Sequence, residues 1–170
     1  MTARISFILG GARSGKSARA LALAAASPGP HTFLATAEAL DDEMTDRIDR
    51  HKAERGPEWG LIEGPLDIAP AVEAHDDGVL LIDCLTLWLS NLMHHERVIE
   101  VETARLIDAL GSSGRVILVS NEVGLAIAPE NALARRFRDA QGRLNQAIAA
   151  TADHVEFIAA GLPMTLKGAP

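Results

Sequence analysis

Ile5-Ser6-Phe7-Ile8-Leu9-Gly10-Gly11-Ala12-Arg13-Ser14-Gly15-Lys16-Ser17 joins an apolar run to the pattern Gly-x-x-x-x-Gly-Lys-Ser. The run from Ile5 to Leu9 is typical of a buried strand, and the Ala- and Leu-rich stretch from Ala18 to Ala26 is typical of a helix. Between them, the glycines allow positive φ angles and bring backbone N–H groups against an anion, while the helix adds its positive N-terminal end. The stretch therefore predicts a phosphate-binding loop between a strand and a helix.

Two side chains of this glycine-rich loop (Gly10–Ser17) have the chemistry that a bound nucleotide needs. Lys16 is placed to reach the β- and γ-phosphates, and the Ser17 hydroxyl is placed to hold Mg²⁺. The alternative is a glycine-rich turn without a ligand. The strand before the loop and the helix after it favour the phosphate site.

Length and composition restrict what can surround the loop. A chain of 170 residues suits one domain, 1–170, and its content of 48% apolar and 23% charged residues is that of an ordinary soluble globular protein. The net charge of −7 opposes non-specific binding to nucleic acid or to acidic lipid, because both are polyanions. A bound nucleotide must therefore be held by local cations.

The single cysteine and the lack of long apolar runs indicate in which cellular compartment the protein lies. Cys84 is the one cysteine, so no internal disulfide can form, and Met1-Thr2-Ala3-Arg4 lacks the apolar core of a signal peptide. No apolar run approaches the ~20 residues needed to cross a bilayer. We expect a cytoplasmic protein that does not insert into a membrane.

Strand and helix patterns alternate along the chain. Short apolar strands separated by helices predict an α/β fold with a mostly parallel sheet and helices on both faces. The predicted strands are 5–9, 31–36, 59–63, 79–83, 115–120, 154–160 and 163–167, with 59–63 and 163–167 at the sheet edges. The predicted helices are 16–26, a segment capped by Asp41 or Asp42 that runs to about Glu54, 85–94, 96–110 and 131–152.

Asp83 ends the apolar strand that begins at Val79. Ligands of open parallel sheets gather at the carboxyl ends of the strands, so this carboxylate has the position of a residue that contacts Mg²⁺ directly or through water. Capping of the helix that begins near Leu85 is the alternative role. The glycine-rich loop elsewhere in the sheet favours the metal-linked role.

Arg47, His51 and Arg55 recur at intervals that place their side chains on one face of the predicted helix. A histidine between two guanidinium groups is pushed toward its neutral, nucleophilic form, because a further positive charge there is unfavourable. The arginines could also bind the phosphate oxygens that it attacks. A solvated basic helix face with a surface histidine is the alternative, and spacing alone favours it.

Several segments of the chain form a combination much narrower than the glycine-rich loop alone. They are 10–17, Ala35-Thr36-Ala37, Leu40-Asp41-Asp42-Glu43-Met44, Arg47-Ile48-Asp49-Arg50-His51-Lys52, Ser120-Asn121-Glu122-Val123-Gly124, and Arg138 through Asn145-Gln146. Together they resemble the bifunctional adenosylcobinamide kinase and adenosylcobinamide-phosphate guanylyltransferase family of cobalamin biosynthesis. The resemblance spans nearly the whole chain, keeps the order of the motifs and implies a RecA-like P-loop NTPase fold.

The resemblance also implies a role for individual positions. His51 matches the histidine that carries GMP, and Glu63 and Asp83 match acidic positions of the nucleotide site. The loop chemistry makes Lys16 the other catalytic candidate and gives Mg²⁺ to Ser17 and Asp83, directly or through water. The positions implied to bind nucleotide are Gly10, Gly11, Ala12, Arg13, Ser14, Gly15, Lys16, Ser17, Ala35, Thr36, Ala37, Lys52, Ala53, Glu54, Arg55, Glu63 and Asp83.

The family's chemistry has two steps. By resemblance, the protein phosphorylates the aminopropanol hydroxyl of adenosylcobinamide with ATP or GTP, and then transfers GMP from GTP through His51 to the new phosphate. The resemblance also implies Mg²⁺ as cofactor and a homotrimer, with adenosylcobinamide and nucleoside triphosphates as partners. A plain small-molecule or nucleoside monophosphate kinase without a covalent intermediate is one alternative. A nucleotide-dependent regulatory switch is the other.

Further polar residues have two possible roles each. Adjacent His94 and His95 suggest a metal pair, although neighbours on a helix face different directions, which favours a hydrated helix end. Glu122 follows a strand and either orients a substrate hydroxyl or a metal, or belongs to a simple turn. The arginines of the long helix bind phosphate, or form ion pairs or a subunit contact; they are Arg135, Arg136, Arg138 and Arg143.

The large apolar residues have simpler expectations. Trp59 and Trp88 could stack on a planar ligand, but burial in the core or an interface is the default for tryptophan. Cys84 is most simply a small buried residue beside Asp83.

Overall fold

The computed structural model describes residues 3–38 and 58–168. Its strands are β1 (Ile5–Gly10), β2 (His31–Ala35), β3 (Gly60–Glu63), β4 (Val79–Asp83), β5 (Arg115–Asn121), β6 (His154–Ala159) and β7 (Leu162–Lys167). Its helices are α1 (Lys16–Ala25), α2 (Ala69–Glu73), α3 (Leu85–His94), α4 (Ile99–Ser112) and α5 (Ala132–Thr151).

The strands form one sheet in the order β3-β2-β4-β5-β1-β6-β7. Each neighbouring pair from β3 to β6 is parallel, and β7 alone pairs antiparallel, with β6. The predicted mostly parallel sheet is confirmed, as are the edge positions of β3 and β7. Because the parallel strands run the same way, their carboxyl ends meet at one edge of the sheet.

Successive side chains of the central strands point to opposite faces of the sheet and pack into two separate hydrophobic cores. In β4, for example, Leu80 and Ile82 join one core, whereas Val79 and Leu81 join the other. The first core includes buried residues of α2, α3, α4 and α5, and the second includes Ala20 and Ala24 of α1. Helices therefore cover both faces of the sheet, as the continuous apolar strands predicted.

Both tryptophans contribute to packing. Trp88 is 1% exposed in the first core, and its indole Nε1 donates to the carbonyl of Leu66 at 2.7 Å. Trp59 packs beside the second core, stacked on His31 with ring centroids 5.1 Å apart and edge-on to Phe33. The default expectation of burial fits Trp88, and Trp59 is half-buried at the rim of its core.

Two helices differ from the sequence prediction. Helix α4 begins at Ile99 rather than Glu96, because Glu96 has φ 53° and lies in the turn that ends α3, where the Arg97 N–H donates to the Leu92 carbonyl. Helix α2 was not predicted, since five residues with proline in the first turn are too short to show a helical period. The helix predicted to end near Glu54 lies outside the described residues.

Within 3–38 and 58–168, no helix combines the length and hydropathy that crossing a membrane requires.

Core packing predicts a large difference between two leucine truncations. Leu118 is 0% exposed in the central strand β5, whereas Leu125 is 83% exposed. We expect Leu118→Ala to lower the free energy of unfolding by about 2–5 kcal/mol through lost burial and a residual cavity. Leu125→Ala should change it by about 0.5 kcal/mol or less. Urea unfolding measures both, and equal losses would contradict the assignment of the core.

Candidate active site

The glycine-rich loop leaves the carboxyl end of β1 and enters α1 at Lys16. Its backbone is left-handed at Arg13, with φ 56°, and at Gly15, with φ 97°. The positive φ favours glycine at position 15, and a Cβ there would also make a tight contact of 3.2 Å with the Cα of Gly161. The Gly161 N–H donates to the Ser14 carbonyl at 2.8 Å. The turn between β6 and β7 therefore supports the loop from the side.

Lys16 folds back onto the loop that precedes it. Its Nζ donates to the Gly11 carbonyl at 3.0 Å, and the residue is 9% exposed. Burial lowers the pKa of Lys16, and interactions with Cys84 and Asp83 oppose that change. The ammonium group therefore lies close to the carboxyl end of β4 as well as to the loop. A cation held there is suited to meet the distal phosphates of a nucleotide.

A buried hydroxyl fixes the chain just after Asp83. The Thr36 hydroxyl donates to the Cys84 carbonyl at 2.8 Å and accepts from the Cys84 N–H at 2.9 Å. The peptide bond between Asp83 and Cys84 is cis. Cys84, not Asp83, is the N-cap residue of α3, and no side chain caps this helix. Helix capping therefore does not account for Asp83.

Three predicted site residues lie in one row across the sheet. Ala35 of β2 is in register with Glu63 of β3 on one side and with Asp83 of β4 on the other. With neighbouring strands about 4.8 Å apart, the row spans about 10 Å. Thr36 follows Ala35 and is 0% exposed. If residues 35–37 contact a nucleotide, the half-buried Ala35 and Ala37 are the residues that can do so.

A buried polar network lies at the carboxyl end of β5. Asn145 Oδ1 accepts from the Ser120 hydroxyl at 2.8 Å and from Gln141 Nε2 at 2.9 Å, and its Nδ2 donates to the Asn121 carbonyl at 3.1 Å. From the other side, Thr86 Oγ1 accepts from the Asn121 N–H at 2.8 Å. Thr86 of α3 and Asn145 of α5 therefore bind the backbone N–H and the carbonyl of Asn121, respectively.

The roles of Thr86, Gln141 and Asn145 were missed by the sequence analysis. Gln141 and Asn145 are one turn apart on α5, and they share its buried face with Ala140 and Leu144. Polar residues on an otherwise apolar helix face were the available signal, because buried polar groups need partners.

A second polar cluster connects α1 to β6. Arg19 Nε and Nη2 donate to the two carboxylate oxygens of Glu156 at 2.8 and 2.7 Å, and His154 Nε2 lies 3.1 Å from Glu156 Oε1. His154 and Glu156 are almost fully buried. The hydrogen bond from Arg19 holds the pKa of Glu156 below its ordinary value of 4.5. The bidentate pair fixes the first turns of α1 against the sheet.

The described residues bring together one part of the predicted site. The glycine-rich loop, Lys16 and Asp83 lie near one another, and Ala35 and Glu63 extend the same edge toward β3. His51 and the segment Lys52, Ala53, Glu54 and Arg55 lie outside the described residues, as do the flanking arginines at 47 and 55. Their assigned roles stay predictions.

The residues present suit Mg²⁺ that arrives with a nucleotide. Magnesium keeps several waters and needs only one or two protein oxygens besides substrate phosphates. Ser17 in the first turn of α1 and Asp83 at the end of β4 supply a hydroxyl and a carboxylate. No group of three or more His, Cys, Asp or Glu side chains that could hold a metal ion by itself occurs in the described part of the chain.

Several of the other candidate residues have partners within the protein. His94 and His95 are exposed at the end of α3, where His95 Nε2 lies 3.1 Å from Glu38 Oε1, as expected for a hydrated helix end. Arg138 pairs with Asp139 at 3.2 Å. Burial, with the nearby Asp83 as a second cause, raises the pKa of the Cys84 thiol to about 11, so the thiol is neutral and unreactive at neutral pH.

Sequence comparison gives matches along almost the entire chain. A family model described as cobinamide kinase / cobinamide phosphate guanyltransferase matches residues 6–166. The bifunctional adenosylcobalamin biosynthesis protein CobP of Pseudomonas aeruginosa is 48% identical over 168 residues, which cover 96% of this chain and 97% of that protein. The bifunctional adenosylcobalamin biosynthesis protein CobU of Salmonella typhimurium is 39% identical over 178 residues, covering 94% and 98%.

Structure comparison gives the fold. An ATPase from the type III secretion system of pathogenic bacteria has a TM-score of 0.58 at 11% identity, and EscN, an ATPase from the type III secretion system of enteropathogenic E. coli, has 0.55 at 10% identity. The matches cover 95% and 93% of this chain, but only 56% and 43% of those ATPase chains. The architecture is therefore that of a P-loop ATPase domain.

Removal of the Lys16 cation should weaken nucleotide binding. Lys16→Met keeps the apolar stem and loses the charge-assisted contact, worth about 1.5–3 kcal/mol, so affinity for a triphosphate should fall about 10- to 100-fold. Lys167→Met, on exposed β7, removes the same charge at the surface and should leave affinity unchanged. Anisotropy of a fluorescent triphosphate reports both. Equal affinities for the two variants would argue against contact between Lys16 and phosphate.

The lowered pKa of Glu156 predicts a pH dependence of stability. A carboxylate whose pKa is depressed by folding adds stability above its unfolded pKa, and this is lost as pH falls through the folded value. Acidification below about pH 4.5 should therefore destabilise the wild type more than Glu156→Gln, which cannot titrate. Urea midpoints measured against pH test this, with exposed Glu73→Gln as control. A profile for Glu156→Gln as steep as that of the wild type would contradict the assignment.

Proposed function

Since the chain belongs to the cobinamide kinase / cobinamide phosphate guanyltransferase family, we propose that it phosphorylates adenosylcobinamide and then guanylylates the product. ATP or GTP supplies the first phosphoryl group, and GTP supplies GMP in the second step. The product is adenosylcobinamide-GDP, with release of pyrophosphate. The observation that carries the proposal is the family match from residue 6 to residue 166, combined with an intact glycine-rich loop opposite Asp83.

The kinase step needs positioning and charge neutralisation more than covalent chemistry. Backbone N–H groups of the glycine-rich loop and the Lys16 ammonium group bind the phosphates, and the first turn of α1 adds its positive end. Ser17 and Asp83 would hold Mg²⁺, which supplies further neutralisation of phosphate charge when bound. Arg19 and Glu156 keep α1 in place while the loop binds its ligand.

The guanylyl step is assigned to His51. Attack of its imidazole on the α-phosphorus of GTP forms a phosphorus–nitrogen bond and releases pyrophosphate. The phosphate of adenosylcobinamide phosphate then attacks the same phosphorus, and His51 leaves. Arg47 and Arg55, at helical spacing from His51, would bind the phosphate oxygens. Lys52, Ala53, Glu54 and Arg55 are assigned to the guanylate, as in the family motif.

The segment that contains His51 is joined to the active-site edge on its N-terminal side. Glu38, the last described residue before it, follows the carboxyl end of β2 and is paired with His95 at the end of α3. Asn91 of α3 donates to the carbonyls of Thr36 and Pro65, at 2.7 and 2.9 Å. Helix α3 thus holds the chain that leads from β2 into the segment containing His51. This attachment near the candidate site supports the assignment of the second step to that segment.

The surroundings of the reaction complete the proposal. We propose a cytoplasmic enzyme of one domain that acts as a homotrimer and uses Mg²⁺, as the family resemblance implies. Adenosylcobinamide and nucleoside triphosphates are its partners, and the net charge of −7 disfavours nucleic acid.

Two measurements together separate this function from its alternatives. Wild-type protein mixed with adenosylcobinamide, GTP and Mg²⁺ should give first the phosphate and then the GDP derivative, followed by mass. GTP labelled at the α-phosphorus should leave an acid-labile, alkali-stable label on the protein, because a phosphorus–nitrogen bond has that stability. A plain kinase gives the phosphorylated product without label, and a regulatory switch gives neither.

The histidine assignment has its own variants. His51→Ala should lose the label and the second product while retaining kinase activity, whereas His94→Ala, which changes an exposed histidine, should keep all three. Label that persists in His51→Ala would overturn the assignment.

A further inference from the structure

We propose that Glu122 is the catalytic base of the kinase step, where its carboxylate accepts the proton of the alcohol that attacks the γ-phosphate. This inference rests on the proposed function, because it assigns a residue to the first of its two reactions. Its basis is the position of Glu122, the rigidity of the backbone before it and the orientation of its carboxylate.

The position of Glu122 is set by strand order. Strand β5 lies between β1, which leads into the glycine-rich loop, and β4, which ends in Asp83. The last residue of β5 is in register with Gly10, and the Glu122 N–H donates to the Gly10 carbonyl at 3.0 Å. Lys16 Nζ bonds to the next carbonyl, that of Gly11. The backbone of Glu122 and the ammonium group of Lys16 are therefore attached to consecutive residues of the loop.

The backbone that precedes Glu122 is held by side-chain hydrogen bonds on both sides. The Asn121 N–H and carbonyl are bonded to Thr86 and Asn145, and Gln141 donates to both Ser120 and Asn145. Burial of such a network is costly unless its members are paired, so its presence at a strand end needs a reason. Second-layer hydrogen bonds of this kind hold a functional side chain within the small tolerance that catalysis requires.

The carboxylate of Glu122 is itself oriented. The Gly124 N–H donates to Oε1 at 2.5 Å, and a Cβ at position 124 would stand only 2.8 Å from that oxygen. Among the residues that the structure describes, the Gly124 N–H is the single hydrogen-bond donor to the Glu122 carboxylate. No hydrogen bond to Oε2 is recorded among the described residues, so this oxygen keeps its full capacity to accept from a hydroxyl.

Other carboxylates at this edge are less suited to the role. Asp83 lies near the Lys16 ammonium group, where its charge opposes the lowering of the Lys16 pKa, and it is already assigned to Mg²⁺. Glu63 lies on β3, four strands away from β1, or about 19 Å at 4.8 Å per strand. Glu122 directly follows β5, the strand adjacent to β1, and its N–H is bonded to the Gly10 carbonyl.

The chemistry of the step balances with one carboxylate. The alcohol oxygen forms a bond to the γ-phosphorus, and the bond from that phosphorus to the β,γ-bridging oxygen breaks. The nucleoside diphosphate leaves with the electron pair. The hydroxyl proton passes to Glu122, which later releases it to water. A base placed within hydrogen-bond reach typically contributes about 10²- to 10⁴-fold in rate.

The decisive variant is Glu122→Gln, which keeps an oxygen for the Gly124 N–H and loses the negative charge. Phosphorylation of adenosylcobinamide should slow in kcat by at least about 100-fold. The KM for the triphosphate should stay within about twofold of the wild type, because nucleotide binding does not use this carboxylate. Labelling by α-labelled GTP should be unchanged, which also shows that the variant is folded.

The control is Glu130→Gln, which removes an exposed charge from the loop between β5 and α5 and should leave both reactions unchanged. Phosphorylation by Glu122→Gln at the wild-type rate would overturn the inference alone. Equal loss of phosphorylation and labelling would also overturn it, because the carboxylate would then serve nucleotide or metal binding. Wild-type protein that phosphorylates no adenosylcobinamide would overturn the proposed function itself.

Discussion

Parallel hydrogen bonding of β1, β5 and β4 is the constraint on which the site depends. These three strands are distant in sequence, yet their register brings Gly10, Asn121 and Asp83 to the same edge of the sheet. The apolar side chains between them are buried on both faces, so a slip of one residue would exchange the contents of the two cores. The positions of the glycine-rich loop and of Asp83 are therefore fixed by packing that lies well below the candidate site.

Continuous apolar runs made the strands predictable, and β4 has the predicted bounds, Val79–Asp83. The glycine-rich loop was equally recognisable because its function requires particular residues at fixed spacing. Helix α2 and the start of α4 were not, since five residues show no period and a left-handed Glu96 resembles any other surface glutamate in the sequence. Sequence patterns indicate the structure of the residues that contain them. Helix α2 and the start of α4 depend instead on how the chain turns between helices and strands.

The supporting side chains of the site were harder to foresee than its phosphate-binding loop. Thr36 bonds to both polar groups of Cys84, and Asn145 connects α5 to the end of β5, in each case across a long stretch of sequence. Nothing in the neighbourhood of either residue along the chain indicates its partner. Glu122 could be singled out from its place after a strand, but the restraint of the backbone before it required three dimensions. Family resemblance supplied His51, which spacing alone left as a surface residue.

The bond between Ser14 and Gly161 links the first loop of the chain to its final hairpin. During translation, the ribosome completes the glycine-rich loop long before it adds Gly161. A nascent chain that has exposed only the N-terminal strands thus has the phosphate-binding sequence without the turn that braces it. Strand β6, which lies beside β1, is also missing at that stage. The braced form of the loop consequently requires that the last strands have emerged and joined the sheet.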